Sequence, residues 1–237
     1  IVVIGGGRVL VDDEAIAARA RALSSAVRWR VLRACLDEAL TNKDFEPLAR
    51  DPHIRIEIDK DARTLTVSDN GIGMSRDEVI RYIGTIAKSG TKEFAQLLRE
   101  AKETQLPPEL IGQFGVGFYS SFMAADKVVM TTRRAGEDAA VKWKSEGDGG
   151  YTLEPAERSE PGTTITLWLK PADEEDGLPD FAAEWTIREI VRKYSDYVAY
   201  PIKMRIEREE IERDDEGKPK PGGERRKIVE DQTLNSM

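Results

Sequence analysis

The sequence has few of the residues that build disulfides and metal centres. Its 237 residues include one cysteine, Cys35, and one histidine, His53. A single thiol excludes an internal disulfide framework and is typical of a reducing compartment, and a single imidazole argues against a zinc cluster. No apolar run approaches the ~20 residues of a membrane-spanning helix, and the apolar start Ile1–Ile4 is too short for a secretory signal. A first residue other than Met is consistent with a start inside a longer protein.

The composition is that of a folded, acidic domain. Hydrophobic residues make up 40% of the chain, which includes four tryptophans. Charged residues of both signs make up 34%, and the net charge is −8. This balance favours solubility and gives no reason to expect a nucleic-acid or membrane surface.

The hydrophobic periodicity predicts an α+β fold: a two-layer sandwich whose mostly antiparallel sheet is covered by helices on one face. Helices are expected at 12–40, 75–83, 92–102, 118–124 and 181–197, the last with Trp185, Ile187, Ile190, Val191 and Tyr194 on its apolar side. Strands are expected around Ile54–Ile58, around Leu65 and Val67, and at 127–133, 140–145, 163–169 and 201–207. Residues 214–226 are rich in charge, Gly and Pro, which indicates a mobile hairpin tip or a linker.

The first chemical motif is Asp69-Asn70-Gly71-Ile72-Gly73-Met74, at the end of a predicted strand. An aspartate there can place its carboxylate in a cleft, and glycines let the backbone approach a flat ligand closely. A carboxylate between apolar walls would accept a hydrogen bond from the exocyclic amine of adenine. Taken alone, the motif fits an ordinary Asp-Asn-Gly turn at least as well.

The second motif, Gly112-Gln113-Phe114-Gly115-Val116-Gly117-Phe118, places three glycines before a predicted helix. Backbone N–H groups at such a helix start can bind phosphate. It is not a Walker A loop, because no Gly-Lys-Ser/Thr follows. A plain helix-entry turn is the alternative. Lys88 lies between the two motifs, where a cation could neutralise phosphate charge, or it is a solvated lysine at a helix end. Gly162-Thr163 comes before a strand, where the hydroxyl could anchor a water.

Together these motifs, in this order, resemble the GHKL ATPase superfamily. Longer stretches are similar to the heat-shock protein 90 family, and most to its bacterial HtpG branch. They are Gly84-Thr85-Ile86-Ala87-Lys88-Ser89-Gly90-Thr91-Lys92, Ile111-Gly112-Gln113-Phe114-Gly115-Val116-Gly117-Phe118-Tyr119-Ser120, Lys193-Tyr194-Ser195-Asp196-Tyr197 and Thr233-Leu234-Asn235-Ser236-Met237. The resemblance covers roughly residues 39–237.

The resemblance implies a role for each matching residue. Asp69 would bind the adenine amine, Gly73 and Met74 would lie against the base, and Thr163 would support a water beside Asp69. A mobile lid would lie within residues 84–117. The phosphates of ATP or ADP would be bound by Lys88 and by Gly112, Gln113, Phe114, Gly115, Val116, Gly117 and Phe118.

The first 38 residues depart from the family pattern. The family carries a helix motif close to Glu-Leu-Ile-Ser-Asn-Ala-Ser-Asp-Ala, whose Asn holds Mg²⁺ and whose Glu activates water. Ungapped alignment places Val27 at the Asn position and Leu23 at the Glu position, and neither side chain has an oxygen. A gapped alignment puts Glu38 near the Asn position but leaves too short a connection to Leu40. We therefore identify no catalytic residue and no metal ligand, although Mg²⁺ is expected for the family.

Two origins of this N-terminus stay open: a replaced or frame-shifted segment, or true divergence to a non-hydrolysing relative. We expect an atypical segment at 1–38, an ATP-binding domain at 39–212, and a charged linker with the start of a middle domain at 213–237. The favoured function is the ATP-binding domain of a cytoplasmic chaperone that folds unfolded client proteins. The alternative is a nucleotide-binding or interaction module without hydrolysis. A mismatch-repair ATPase, topoisomerase or histidine kinase is disfavoured by the HtpG-like stretches. The parent protein would be a homodimer, and this fragment a monomer.

Overall fold

The computed structural model describes residues 45, 50–84, 120–173, 179–198, 200–211 and 225–236. The expected helices at 12–40 and 92–102, with Lys88 and the glycine motif at 112–118, lie outside these residues. The strands are β1 (Ile54–Asp59), β2 (Thr64–Asp69), β3 (Ala125–Arg133), β4 (Ala140–Ser145), β5 (Thr152–Ala156), β6 (Gly162–Leu169), β7 (Ile202–Ile211) and β8 (Arg225–Thr233). The α-helices are α1 (Arg76–Val79), which continues as a π-helical turn over Ile80–Gly84, and α2 (Glu184–Tyr194); a 3₁₀ turn covers Ser120–Met123.

The strands form one sheet in the order β5-β4-β3-β6-β2-β1-β7-β8. Within the described part of the chain, every strand pair is antiparallel except β1 with β7. The α+β class with a mostly antiparallel sheet is therefore confirmed. No described helix is both long enough and apolar enough to cross a lipid bilayer.

The strand alternation separates an apolar face from a polar one. Cross-strand partners on β2, β6 and β3 point to the same side, so Leu65, Leu167 and Val128 form one buried row. The opposite face carries ion pairs and polar contacts: Arg55–Asp231, Arg205–Glu57, Thr66–Thr166 and Lys127 over the Trp168 ring. This difference produces the expected two-layer arrangement, since only one face needs a cover.

Helix α2 supplies part of that cover, through Ile187, Ile190 and Val191, all buried. Trp185 was expected on the same apolar side, and that expectation was wrong: its side chain is 61% exposed. At 3.6 residues per turn, Trp185 lies about 160° around the helix from Ile187, which points it to solvent. Thr186 occupies the buried position instead.

Two strands were missed by the periodicity. β5 contains Pro155, which is tolerated because β5 is an edge strand of the sheet. β8 lies in the segment that the sequence analysis assigned to a linker and a following domain, and it pairs along its length with β7. In addition, the helix expected at 118–124 is a 3₁₀ turn where the structure describes it.

The last described residues are held against the α2–β7 connection by Asn235. Its buried side-chain amide donates to the carbonyl oxygens of Val198 and Tyr200, each at 3.0 Å, and its oxygen accepts from the Ile202 N–H at 2.8 Å. The carboxylate of Asp196 also accepts from the Ser236 N–H at 2.9 Å. The amide thus ties the chain after β8 to the start of β7.

We predict that Asn235→Ala lowers the free energy of unfolding by about 2–3 kcal/mol, because three buried backbone groups lose their partner. Urea unfolding measures this loss. Ser236→Ala is the matched control, since only the backbone of Ser236 is engaged, and it should stay within about 0.5 kcal/mol of wild type. A loss of that small size for Asn235→Ala would contradict the assigned role.

Candidate functional site

Three polar residues form one row across the ends of β2, β6 and β3. Asp69 pairs with Thr163, and Thr163 pairs with Thr132 on its other side. Because the pairs are directly opposite in antiparallel strands, all three side chains point to the face that carries the core. The next row inward is apolar and contains Val67, Ile165 and Met130. The polar row therefore lies at the edge of the hydrophobic core.

The carboxylate of Asp69 is held by backbone donors. Its Oδ1 accepts from the Gly71 N–H at 2.9 Å and from the Thr163 N–H at 3.2 Å. Burial raises the pKa of Asp69 to about 6, against the opposing effects of these two N–H groups and of the charges on Arg158 and His53. The row thus contains a desolvated carboxylate acceptor, which is suited to a donor N–H of a ligand.

The hydroxyl of Thr132 joins three segments beside this carboxylate. It is fully buried, accepts from the Met74 N–H at 2.9 Å and donates to the Gly162 carbonyl at 3.1 Å. It also lies 3.0 Å from the Thr163 hydroxyl. Sequence reasoning missed Thr132. The available signal was its alternation with Val128 and Met130, which places a hydroxyl at a core-facing position.

The loop after Asp69 packs directly on the end of β3. Gly73 has φ +66°, and a Cβ there would lie 1.9 Å from the carbonyl oxygen of Arg133. The Ile72 carbonyl accepts from the Ala135 N–H at 2.7 Å. Gly73 is thus required by its conformation and by close backbone contact, which fixes the path of the loop from Asp69 to Met74.

Helix α1 begins directly after this loop. The Ser75 hydroxyl accepts from the Glu78 N–H, and the Glu78 carboxylate accepts from the Ser75 N–H, so the expected capping box is present. The other oxygen of Glu78 pairs with Arg134 at 2.9 Å. This ion pair fastens the helix start to the end of β3 and helps to hold Met74 at the rim of the core.

The structure brings together four of the residues named from the sequence: Asp69, Gly73, Met74 and Thr163. Met74 is half-buried and packs against the main core. The remaining candidates, Lys88 and the residues of the 112–118 motif, fall outside the described residues. In the described ranges, no group of three or more His, Cys, Asp or Glu side chains is arranged to hold a metal ion.

Gly84, the expected start of the lid, is buried against Tyr151, the residue before β5. A Cβ there would lie 2.4 Å from the hydroxyl oxygen of Tyr151, whose ring stacks on Trp143 with centroids 6.0 Å apart. The absence of a side chain at Gly84 is explained by this packing. A hinge role stays a prediction.

Comparison with known proteins gives matches over most of the chain. The profile of the family described as "Histidine kinase-, DNA gyrase B-, and HSP90-like ATPase" matches residues 17–157. "Chaperone protein HtpG" of Mycobacterium tuberculosis (strain ATCC 25618 / H37Rv) is 56% identical over 200 residues, covering 84% of this chain and 31% of the relative. "Chaperone protein HtpG" of Mycolicibacterium gilvum (strain PYR-GCK) is 54% identical over 204 residues, covering 84% and 30%. The chain thus spans less than a third of the length of these curated relatives.

We predict that Gly73→Ala lowers the free energy of unfolding by more than about 3 kcal/mol, because the new methyl group collides with the β3 backbone at a positive φ. Gly150→Ala is the matched control. A Cβ at Gly150 meets only the Asp148 carboxylate, at 3.4 Å, and φ there lies outside the left-handed region. Thermal and urea unfolding of both variants test the prediction, and equal stabilities would contradict it.

A second prediction concerns pH. Because the pKa of Asp69 is raised from 3.8 to about 6 in the folded chain, its contribution to stability is present below pH 3.8 and lost as the pH rises through about 6. Asp69→Asn lacks this titration. The variant should therefore gain about 2 kcal/mol of stability relative to wild type between about pH 4.5 and about pH 7.5. Urea unfolding at both pH values measures the gain, and a constant difference would contradict it.

Proposed function

Because this chain belongs to the histidine kinase-, DNA gyrase B- and HSP90-like ATPase family, in its HSP90/HtpG branch, we propose that Asp69 reads the adenine of a bound nucleotide. The exocyclic amine of adenine donates to the Asp69 carboxylate, and Thr163 supports a water beside it. Gly73 and Met74 lie against the base. The ligand is ATP or ADP.

One observation carries this proposal: a desolvated carboxylate lies at the boundary between a polar row and an apolar core. Burial raises the pKa of Asp69 to about 6, against the backbone N–H groups of Gly71 and Thr163 that stabilise the charge. A ligand N–H compensates for that lost solvation and gains a charge-assisted hydrogen bond. The apolar row behind it, with Val67 and Ile165, offers the flat, non-polar contact that a purine needs.

The phosphate half of the proposed site comes from the family resemblance. Lys88 supplies a cation, and the backbone of residues 112–118 supplies N–H donors at a helix start. Magnesium accompanies ATP in this family, and we assign it no protein ligand in this chain.

We further propose that hydrolysis by this chain is negligible. Leu23 and Val27 stand where the family pattern has the water-activating Glu and the Mg²⁺-holding Asn, and hydrocarbon side chains cannot take over either role. The chain is then a nucleotide-binding module that lacks the hydrolytic half of the site.

For the longer protein, we propose the activity that the relatives' name indicates, that of a chaperone. From the family resemblance we further propose that it is cytoplasmic and acts on unfolded client proteins. We propose that the whole protein is a homodimer and that this 237-residue piece is a monomer without nucleic-acid or membrane partners. The dimer rests on the family resemblance, and the absence of nucleic-acid and membrane partners on the acidic balance of this chain.

The decisive test is an isothermal ADP titration of wild type and Asp69→Asn at about pH 7.5. Wild type should release heat, and the variant should bind at least roughly tenfold more weakly, because it loses a charge-assisted hydrogen bond. Asp61→Asn is the matched control, since Asp61 is exposed in the β1–β2 turn, and it should bind like wild type.

The same preparations test turnover with magnesium and ATP. Phosphate release should stay at background for all three proteins. Turnover that depends on magnesium and disappears in Asp69→Asn would overturn the proposal on hydrolysis while supporting nucleotide binding. A folded wild-type chain with no ADP heat would overturn nucleotide binding itself.

A further inference from the structure

Arg158 lies in the loop between β5 and β6, and its side chain reaches past β6 to the end of β2. The Arg158 guanidinium donates from all three nitrogens: Nε to the Glu160 carbonyl at 2.9 Å, Nη1 to the Thr164 hydroxyl, and Nη2 to the Asp69 carbonyl at 3.1 Å. One side chain therefore joins its own loop, the start of β6 and the last residue of β2.

Arg158 approaches Asp69 from the polar side of the sheet. Thr164 is adjacent to Thr163 in β6, so its side chain points away from the face that carries the Asp69 carboxylate. The guanidinium reaches the backbone of Asp69 because Gly162 has no side chain. A Cβ at Gly162 would lie 2.3 Å from the Asp69 carbonyl oxygen and 3.1 Å from Arg158 Nη2.

The same contact brings a positive charge close to the Asp69 carboxyl group. The charged groups that act on Asp69 are Arg158 and His53, and both lower its pKa against the effect of burial. Burial lowers the pKa of Arg158. The charge of Arg133 also lowers this pKa, and the charges of Asp69 and Glu160 raise it. A guanidinium keeps its charge in proteins, so it is a constant counter-charge for Asp69.

We propose that Arg158 is the positioning residue for adenine recognition: it fixes the backbone end of β2 and supplies the positive charge that keeps the Asp69 carboxylate in its accepting form. This inference rests on the proposed function of Asp69. It assigns part of the adenine site to a side chain on the opposite face of the sheet.

A purely structural role for Arg158 would be to hold the loop. Arg133 offers the matched comparison, because its Nη2 donates to the Ser159 carbonyl of the same loop at 2.7 Å. Arg133 is not among the charges that shift the pKa of Asp69. Removal of Arg133 therefore loosens the loop without removing the counter-charge.

The experiment follows the Asp69 carboxyl by carbon-13 NMR in the free 237-residue chain, together with ADP titrations from about pH 5 to about pH 8. In Arg158→Ala the titration midpoint should rise by roughly 0.5–1 pH unit, and ADP affinity near pH 7 should fall about three- to tenfold. Arg158→Lys should return the midpoint toward wild type, and Arg133→Ala should leave it unchanged.

An unmoved midpoint in Arg158→Ala, or an equal shift in Arg133→Ala, overturns the inference. Should Arg158→Ala fail to fold, Arg158→Gln replaces it, since glutamine keeps a donor and removes the charge. The midpoint of the Asp69 titration should then rise in Arg158→Gln and stay near the wild-type value in Arg158→Lys. Absence of ADP binding by wild type overturns the proposed function and the adenine role of Arg158 with it. Normal binding by both wild type and Arg158→Ala overturns this inference alone.

Discussion

The site depends on one constraint, the register in which β2, β6 and β3 pair. Asp69, Thr163 and Thr132 stand side by side only because these strands pair in one particular register. A slip of one residue would turn each side chain to the other face and expose the apolar rows behind them. The hydrophobic core therefore selects the register, and the register places the carboxylate. The glycine at 73 and the hydroxyl of Thr132 then hold the loop that follows.

Local patterns in the sequence predicted much of this arrangement. The alternation of Ile54, Ile56 and Ile58 gave β1, and the Ser75–Glu78 spacing gave the start of α1. Asp69 and Thr163 were singled out, and the structure pairs them. Thr132 was missed because its hydrogen-bond partners Thr163 and Met74 lie 31 and 58 positions away along the chain. A local sequence pattern does not show such distant contacts.

The wrong and missed elements also have physical causes that lie in the tertiary structure. Trp185 was assigned to the core because it is large and apolar, although its angle on α2 points it to solvent. β5 and β8 are the outer strands of the sheet, where charge and proline are tolerated, so their sequences resemble loops. The family match begins at residue 17, within the segment 1–38 that departs from the motif pattern of the family.

The three hydrogen bonds of the Asn235 side-chain amide define how a pulling force would enter the domain. Tension on the chain beyond β8 is taken up by the Asn235 amide and passes to β7, which pairs in parallel with β1. β1 in turn is the neighbour of β2, the strand that ends at Asp69. Force at this end of the sequence is thus passed to the strands next to the row of Asp69, Thr163 and Thr132, instead of peeling the outer strand away.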